Sequence, residues 1–252
     1  MKMNFLNTHI DNLTMNEAVE ETDMLIQERK HSYIVTPNTD HIVLMENDEL
    51  FKEIYDNADL VLTDGQPLLW IAKLLGTPIK EKISGSDFFP EMCKLAAQKG
   101  YKMYILGAAE GVAAKAAENL KAKYEKLEVV GTYSPPMGFE NDEAEVMSII
   151  NRINNSNADI LAVALGSPKG EKFIYQIRER INVSLSISIG ATIDFEAGVI
   201  KRAPKWMSNI GFEWLYRVIQ EPERMLKRYW NDVISIGPII KKYVKSTDEN
   251  LH

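Results

Sequence analysis

Short apolar runs alternate along the chain with longer segments in which apolar residues recur every three or four positions. The runs are typical of buried strands, and the longer segments are typical of amphipathic helices. Strands are predicted at residues 33–36, from 60 up to Asp64, and at 101–106, 129–132, 160–165 and 183–189. Helices are predicted at residues 15–29, 41–47, 49–57, from Gln66 to 75, and at 86–99, 112–124, 142–154 and 171–180.

This alternation predicts a parallel sheet, because each helix returns the chain across one face of the sheet before the next strand begins. The predicted fold class is therefore α/β, with a doubly wound parallel sheet that helices cover on both faces. The alternation stops near Gly198. We place a domain boundary there, with residues 1–198 as the main domain and residues 199–252 as a C-terminal helical appendage.

The appendage differs from the main domain in periodicity and charge. Helices are predicted over residues 206–220 and 223–245, with a break where Gly237-Pro238 interrupts the second. Residues 201–246 contain ten Lys or Arg against four Asp or Glu, although the whole chain carries a net charge of -7. Trp and Ile residues beside these cations are typical of a helix at a membrane surface, and also of a helix packed on its own domain.

Composition narrows the class of protein. The chain has 252 residues, of which 45% are hydrophobic, enough for a full core. The N-terminal residues are too polar for a signal peptide, and no segment approaches the roughly 20 apolar residues of a membrane span. Cys93 is the only cysteine, so no intrachain disulfide can form, and a reducing cytoplasm is the expected compartment.

Asp64 is the candidate catalytic residue, because it follows an apolar run and precedes Gly65 and a helical segment. In an open parallel sheet, an acid at the carboxyl end of a strand points at ligand rather than at the core. The alternative interpretation is that Asp64 caps the helix that follows. Polar residues and glycines after other predicted strands should rim the same crevice: Thr36, Asn38, Gln66, Gly107, Ser167, Lys169 and Asp194.

Several motifs with known chemistry are missing. The four His residues have no metal-ligand spacing and no Asp-x-Asp pair occurs, so we expect no metal site. The glycines at 107 and 111 match neither the dinucleotide fingerprint nor the P-loop, and no nucleophile elbow is visible. His41 is interpreted as a packing or capping residue. A carboxylate base, glycine turns and a surplus of cations suit group transfer from a diphosphate leaving group.

These residues fall into a series of short motifs that resembles the WecG/TagA/CpsF glycosyltransferase family over about residues 5–230. In chain order the motifs are Thr36-Pro-Asn38, Asp64-Gly65, Lys82-Ile-Ser-Gly85-Ser-Asp87, Leu106-Gly107, Leu165-Gly166-x-Pro168-Lys169-x-Glu171, Asp194-Phe-x-x-Gly198, Lys201-Arg202-Ala-Pro204, Glu213-Trp-Leu-Tyr-Arg217 and Glu221-Pro222-x-Arg224.

The resemblance implies a Rossmann-like catalytic domain and an appendage that contacts the membrane and completes the active site. It implies an inverting transferase that moves a sugar from a UDP donor to a polyprenyl-diphosphate-linked sugar, without a metal or other cofactor. The products would be cell-surface polysaccharides such as teichoic acid, capsule or exopolysaccharide. The enzyme would lie in the cytoplasm, peripheral on the inner face of the cell membrane, with self-association possible and no nucleic-acid partner.

The resemblance also assigns roles to individual residues. Asp64 would be the catalytic base, and Asp194 would lie at the nucleotide end of the pocket. The remaining substrate-binding positions are Thr36, Asn38, Gln66, Lys82, Gly107, Lys169, Arg202, Arg217, Arg224 and Arg228. Lys227 competes with Arg228 for one family position, and Arg202, Arg217 and Arg224 would face the diphosphate.

Two departures from the family pattern bear on the donor sugar. Lys82 replaces the usual Arg, so a bidentate phosphate clamp becomes a point charge. Gly170 replaces a Gln and removes a side-chain amide. N-acetylmannosamine, its uronate and glucose all remain candidate donors.

From the sequence alone, purely structural roles for these residues and two other classes of function stay open. Lys82, Lys169 and the arginines could be solvated or salt-bridged surface residues. A dinucleotide-dependent oxidoreductase would have to bind NADH without the usual fingerprint. A non-catalytic nucleotide-binding protein could use the basic tail to dock on a membrane.

Overall fold

The computed structural model describes residues 2–204, 207, 213–220 and 222–249. Within this part of the chain, six parallel strands form one sheet in the order β4-β3-β8-β7-β5-β6. The six strands are β3 (Ser32–Val35), β4 (Leu60–Val61), β5 (Lys102–Gly107), β6 (Glu128–Tyr133), β7 (Ile160–Ala164) and β8 (Leu185–Ser188). The predicted α/β class with a doubly wound, Rossmann-like sheet is confirmed.

Helices precede or follow each of these strands. All but Thr192–Ala197, which was not predicted, lie close to the predicted bounds, and part of the predicted helix over residues 206–220 falls outside the described residues. They are α1 (Met15–Glu28), α2 (Thr39–Met45), α3 (Glu49–Asp56), α4 (Gln66–Leu74), α5 (Gly85–Lys99), α6 (Val112–Lys123), α7 (Glu143–Ser156), α8 (Lys169–Ile177), α9 (Thr192–Ala197), α10 (Glu213–Gln220) and α11 (Pro222–Glu249). The start of α1 is fixed by a capping box, because Thr14 accepts from the backbone of Glu17 and Glu17 bonds back to Thr14.

Alternation along the strands divides the core into two layers, one on each face of the sheet. Tyr33, Val35 and Val61 point to the face that α2, α3, α4, α7 and α8 cover. Ile34 and Leu60 point to the opposite face, which α1, α5 and α6 cover. Successive strand residues face opposite sides of a sheet, so both layers need near-continuous apolar strands, as the sequence has.

The N-terminal hairpin was not predicted. Strands β1 (Lys2–Phe5) and β2 (Thr8–Asp11) pair with each other in antiparallel register. The hairpin is fastened to the edge of the large sheet, where Asp11 Oδ2 accepts a 2.9 Å hydrogen bond from the backbone N–H of Val61. Four-residue strands that contain Asn, His and Asp carry too little apolar periodicity to be recognised in the sequence.

The predicted helix break at Gly237-Pro238 is wrong, because α11 continues from Pro222 to Glu249. Pro238 removes the hydrogen bond to the carbonyl group of Ile234, four residues earlier, and both of these residues are exposed. Water can therefore satisfy that carbonyl group. Met225 and Ile239 are buried on either side of the proline, so tertiary packing holds both halves of the helix in line.

The last turns of α11 pack on α2. Ile239 belongs to the core layer that contains Ile42 and Met45 of α2. At the C-terminal end of α2, Glu46 accepts hydrogen bonds from Lys242 Nζ at 2.8 Å and from Tyr243 Oη at 3.1 Å. The C-terminal helix is thus tied to the helix that directly follows β3.

Candidate active site

The carboxyl ends of the parallel strands meet at one edge of the sheet, and the loops that follow them form the candidate site. β5 connects outward to β6, whereas its inner neighbour β7 connects in the opposite direction to β8. In open α/β sheets a ligand crevice lies where neighbouring connections diverge in this way. The loops after β5 and β7 border this crevice, and the loops after β3, β4 and β8 continue the same edge.

Asp64 lies in the loop between β4 and α4. Its backbone N–H donates a 2.8 Å hydrogen bond to the carbonyl oxygen of Pro37, in the loop after β3. The residue that caps α4 is Gly65, with φ at 108° and no side-chain cap. Asp64 therefore does not cap α4, and that alternative interpretation is wrong. Its half-buried position beside a second strand-end loop is compatible with the predicted role as base.

Asn38 lies next to Asp64 and Gly65, since a methyl group added at Gly65 would come within 3.9 Å of Asn38 Cβ. Asn38 caps α2, with Oδ1 accepting from the backbone N–H of His41 at 3.3 Å. This bond fixes the orientation of the amide, because only its oxygen can accept. The NH₂ group therefore remains as the donor that Asn38 can offer to a ligand.

Thr36 is buried at the end of β3. Its hydroxyl oxygen would be 3.5 Å from a methyl group added at Gly85, the first residue of α5, and Thr192 of α9 would be 4.0 Å from it. Three strand-end segments thus converge here, from β3, from α5 and from the loop after β8. The absence of a side chain at Gly85 leaves this junction narrow but unfilled.

His41 and Tyr55 form a buried hydrogen-bonded pair behind this loop. Tyr55 Oη lies 3.0 Å from His41 Nδ1, and Phe51 packs against both rings. Burial raises the pKa of Tyr55 well above its ordinary value, and the charges of Glu171 and Asp64 raise it further. Tyr55 therefore stays protonated, and its hydroxyl group holds the His41 ring through Nδ1. The prediction of His41 as a packing residue is confirmed.

Two basic residues that were predicted to contact phosphate, Lys82 and Arg202, meet at Asp87. Arg202 donates to Asp87 Oδ1 at 2.5 Å and to the carbonyl oxygen of Ser86 at 3.0 Å, and Lys82 Nζ lies 3.7 Å from Asp87 Oδ2. Burial acts to raise the pKa of Asp87, but hydrogen bonds from Ser84 and Arg202 outweigh it, so this pKa lies below its ordinary value.

This cluster anchors the start of the C-terminal segment to the first turn of α5. Ser84 caps α5, with its hydroxyl oxygen accepting from the backbone N–H of Asp87 at 3.2 Å. The helix therefore begins slightly earlier than the predicted start at Ser86 or Asp87. Asp87 was missed as a functional-site residue, although its position three residues after Ser84 is a signal for helix capping. Phosphate contact by Lys82 and Arg202 stays a prediction.

Gly107 ends β5 where the backbones of β5 and β7 approach most closely. Its φ is 109°, and a Cβ atom there would lie 2.5 Å from the carbonyl oxygen of Ala164. Ser134 donates to the carbonyl oxygen of Gly107 at 3.2 Å, which fastens the proline-containing loop after β6 over this turn. Packing of the sheet thus accounts for glycine at position 107, and ligand binding by Gly107 stays a prediction.

Lys169 opens α8 on the other side of the crevice. Its Nζ atom lies 2.6 Å from Glu140 Oε1 and 5.8 Å from the centroid of the Phe139 ring. Lys169 therefore joins α8 to the short 3₁₀ turn Phe139–Asn141. This ion pair matches the interpretation of Lys169 as a salt-bridged residue, and a ligand could use the cation only together with Glu140.

Glu171 is a buried acid that the sequence interpretation left without a role. Ser188 at the end of β8 donates to Glu171 Oε1 at 3.1 Å. Burial raises the pKa of Glu171 to about 7, against the opposing effect of hydrogen bonds that include those from Ser188 and Ser167. Gly170 lets α8 approach β8 this closely, because a Cβ atom there would lie 2.8 Å from Ser188 Oγ. No local sequence pattern signals this contact, because Ser188 lies on a separate element.

Asp194 and Gln66 both lie in the first turns of helices at the crevice edge, and both are half-buried. Burial raises the pKa of Asp194. The structure places Arg217 on α10, and Arg224 and Arg228 on α11, but their side chains fall outside what it describes. Their predicted approach to the diphosphate therefore stays a prediction.

Chemically, the edge of the sheet offers carboxylates at Asp64 and Asp194, amide and hydroxyl groups at Asn38 and Thr36, and basic groups at Lys82 and Arg202. Within residues 2–204, 207, 213–220 and 222–249, no group of three or more His, Cys, Asp or Glu side chains is placed to hold a metal ion. In the same residues, no helix has both the length and the apolar character needed to cross a bilayer.

Comparison with known proteins identifies relatives that match most of the chain. The sequence profile described as the glycosyl transferase WecG/TagA/CpsF family matches residues 3–249. The chain is 30% identical over 220 residues to an N-acetylglucosaminyldiphosphoundecaprenol N-acetyl-beta-D-mannosaminyltransferase from Bacillus spizizenii (strain W23), covering 87% of this chain and 81% of the relative. It is 29% identical over 211 residues to a protein of the same name from Bacillus subtilis (strain 168), covering 84% and 78%.

Proposed function

Because this chain belongs to the WecG/TagA/CpsF family of glycosyltransferases, we propose that it transfers a hexose or N-acetylhexosamine from a UDP-sugar to a polyprenyl-diphosphate-linked sugar. The names of the two Bacillus relatives make N-acetylmannosamine the first donor sugar to test and a GlcNAc-diphosphoundecaprenol the first acceptor. The N-acetylmannosamine uronate and glucose are the next donors. This transfer would be one step in the synthesis of a cell-surface polysaccharide.

The observation that carries this proposal is the position of Asp64. The bond from its N–H to Pro37 holds the Asp64 loop against the loop of Asn38 at the carboxyl edge of the sheet. In the proposed step, Asp64 removes the proton from the acceptor hydroxyl while that oxygen bonds to C1 of the donor sugar. The bond between C1 and the phosphate oxygen breaks, and UDP leaves with the electron pair. Attack opposite to the leaving group inverts the configuration at C1.

The leaving diphosphate needs positive charge where it departs, and we propose that side chains supply it without a metal. Lys82 and Arg202 already lie together at Asp87. Asp87 offsets part of their charge, so the arginines predicted to approach from α10 and α11 would supply the remainder. Asn38 would donate from its NH₂ group to a sugar hydroxyl or carbonyl oxygen. Asp194 would accept from the nucleotide.

We further propose that the enzyme is peripheral on the inner face of the membrane, because its acceptor is anchored there. Leu226, Trp230 and Ile234 recur at every fourth position of α11 and are exposed. Lys227 lies among them and is exposed as well. Apolar side chains interleaved with cations are suited to the headgroup region of an anionic bilayer.

The experiment that tests this function compares Asp64→Asn with wild type. We expect transfer to fall about 100-fold or more, because a general base contributes at least that much. Binding of UDP, followed by calorimetry, should change little, since Asn keeps the size and polarity of Asp. Asp56→Asn is the matched control, because Asp56 is an exposed carboxylate at the end of α3. Unchanged transfer by Asp64→Asn would refute the assignment of the base.

The same assay examines the metal and the donor. Transfer should survive EDTA, and loss of activity that Mg²⁺ restores would overturn the metal-independent mechanism. Each UDP-sugar stabilises the native state according to its affinity, so thermal shifts rank the candidate donors. Stabilisation by NADH but not by UDP would favour the oxidoreductase hypothesis instead.

A further inference from the structure

Helix α4 exposes an apolar stripe that its position in the fold does not explain. Trp70 is 57% exposed and Leu74 is 77% exposed, and exposed Pro67 precedes them on the same face. The opposite face of the helix is buried through Leu68 and Ile71. A nine-residue helix with one apolar face in the core normally places polar residues on the other.

The charge of α4 is as distinctive as its apolar face. Lys73 is the one charged residue between Gln66 and Leu74, and it is exposed beside Trp70 and Leu74. The chain as a whole is acidic, with a net charge of -7. The exposed face of this helix carries Trp, Leu and Lys but no carboxylate. Such a face fits a partner that has an apolar interior and negatively charged groups at its surface.

The stripe also lies close to the reacting groups. Helix α4 starts immediately after Gly65, so Asp64 is at its N-terminal end. At a rise of 1.5 Å per residue the whole helix is only about 13 Å long. Any surface that the stripe contacts is therefore within about one helix length of the candidate base.

Helix α4 shares a core layer with the last turns of α11. The buried side of α4 packs into the core layer that Ile239 of α11 also joins, so both helices cover the same face of the sheet. Exposed Trp70 on α4 and exposed Trp230 on α11 are two separated apolar sites on helices of this layer.

We propose that the outer face of α4 is a second membrane contact, which inserts Trp70 and Leu74 into an anionic bilayer and sets the mouth of the crevice at its surface. A second copy of the chain is the competing occupant. Three exposed side chains offer a few hundred Å², whereas a stable interface buries about 800 Å² on each partner. This proposal rests on the proposed lipid-linked acceptor, but its test requires no sugar transfer and can fail separately.

The test places a probe on the stripe. Cys93 is buried and burial raises its pKa, so a cysteine introduced at the surface is the reactive thiol. Full-length Leu74→Cys carries an environment-sensitive fluorophore and is mixed with vesicles of phosphatidylglycerol and phosphatidylcholine. The matched control is Met24→Cys, because Met24 is 50% exposed on α1, across the sheet from α4.

We expect the probe at position 74 to shift to shorter wavelength and to be quenched by brominated lipid, while the probe at position 24 shows neither effect. The double variant with Trp70→Gln and Leu74→Gln should reduce cosedimentation with the vesicles at least threefold. The single variant Lys73→Glu should reduce cosedimentation most at low salt. Equal responses at positions 74 and 24, or no response at 74, would overturn the proposal. The proposal would also be overturned if Trp70→Gln with Leu74→Gln abolished a dimer seen by light scattering and left vesicle binding unchanged.

Discussion

At the scale of single residues, burial decides the chemistry of two groups near the crevice. Glu171 and Tyr55 have carboxyl and phenol groups in the core. Glu171 is hydrogen-bonded to Ser188 and Tyr55 to His41. Neither role could be predicted from sequence, since only the packing of α8 on β8, and of α3 on α2, brings the partners together. Each bond makes a measurable contribution to stability.

Glu171 should make stability depend on pH. Its pKa in the folded state is about 7, against an ordinary value of 4.5. The folded state therefore binds more protons than the unfolded state between these values, and its contribution to stability falls as pH rises from about 4.5 to about 7. The expected loss is on the order of 3 kcal/mol, at 1.36 kcal/mol for each unit of pKa.

Glu171→Gln should remove this loss, because the amide has no proton to release. Urea unfolding at pH 5 and pH 8 should show that the free energy of unfolding of Glu171→Gln, relative to that of wild type, is higher at pH 8. Glu179→Gln makes the same change on the surface after α8 and serves as the control. If the free energy difference between Glu171→Gln and wild type were the same at both pH values, the raised pKa would be wrong.

Tyr55→Phe should lower the free energy of unfolding by about 1 kcal/mol, the usual net contribution of a buried hydrogen bond. Phe keeps the ring that packs on Phe51, so only the bond to His41 Nδ1 is lost. Chemical denaturation measures this difference. Tyr55→Leu, which also removes the ring, should cost more. A Tyr55→Phe variant as stable as wild type would show that the hydroxyl contributes nothing.

At the scale of elements, close contact between β5 and β7 depends on Gly107. We expect Gly107→Ala to destabilise the protein by about 3 kcal/mol or more, because the added Cβ meets the carbonyl oxygen of Ala164 and the backbone has a positive φ. Gly111→Ala is the matched control, since its φ is also positive but nothing lies within 4 Å. Thermal unfolding should separate the two variants clearly, and similar losses would mean that strain alone matters.

The elements also show where local sequence signals succeed and fail. The capping box of Thr14 and Glu17 and the repeated helix periods predicted α1 and its successors, because these signals act within one turn. The predicted break at Pro238 was wrong because proline interrupts a helix only through local effects. Met225 and Ile239 hold α11 together through contacts with residues distant in sequence. The β1–β2 hairpin was missed because Asp11 gains its partner only when Val61 is folded beside it.

At the scale of the whole molecule, the doubly wound sheet could be predicted because each strand and helix has its own local pattern. The order in which strands and helices alternate along the chain then gives the fold class. Parallel strands also bring their carboxyl ends to one edge of the sheet, which is why the sequence predicts that Asp64, Asn38 and Thr36 rim one crevice. Distances between those loops could not be predicted. The pairing of Lys82 and Arg202 with Asp87, rather than with solvent, required the folded positions of α5 and of the segment that follows α9.

Helix α2 has one end in the candidate site and the other on the C-terminal helix. Asn38 caps its beginning, and Glu46 just past its end holds Lys242 and Tyr243 of α11. Seven residues of α-helix make a stiff rod about 10 Å long. If α11 tilts against a surface, we expect α2 to carry part of that motion to the amide of Asn38, which would couple the candidate site to the orientation of the protein on that surface.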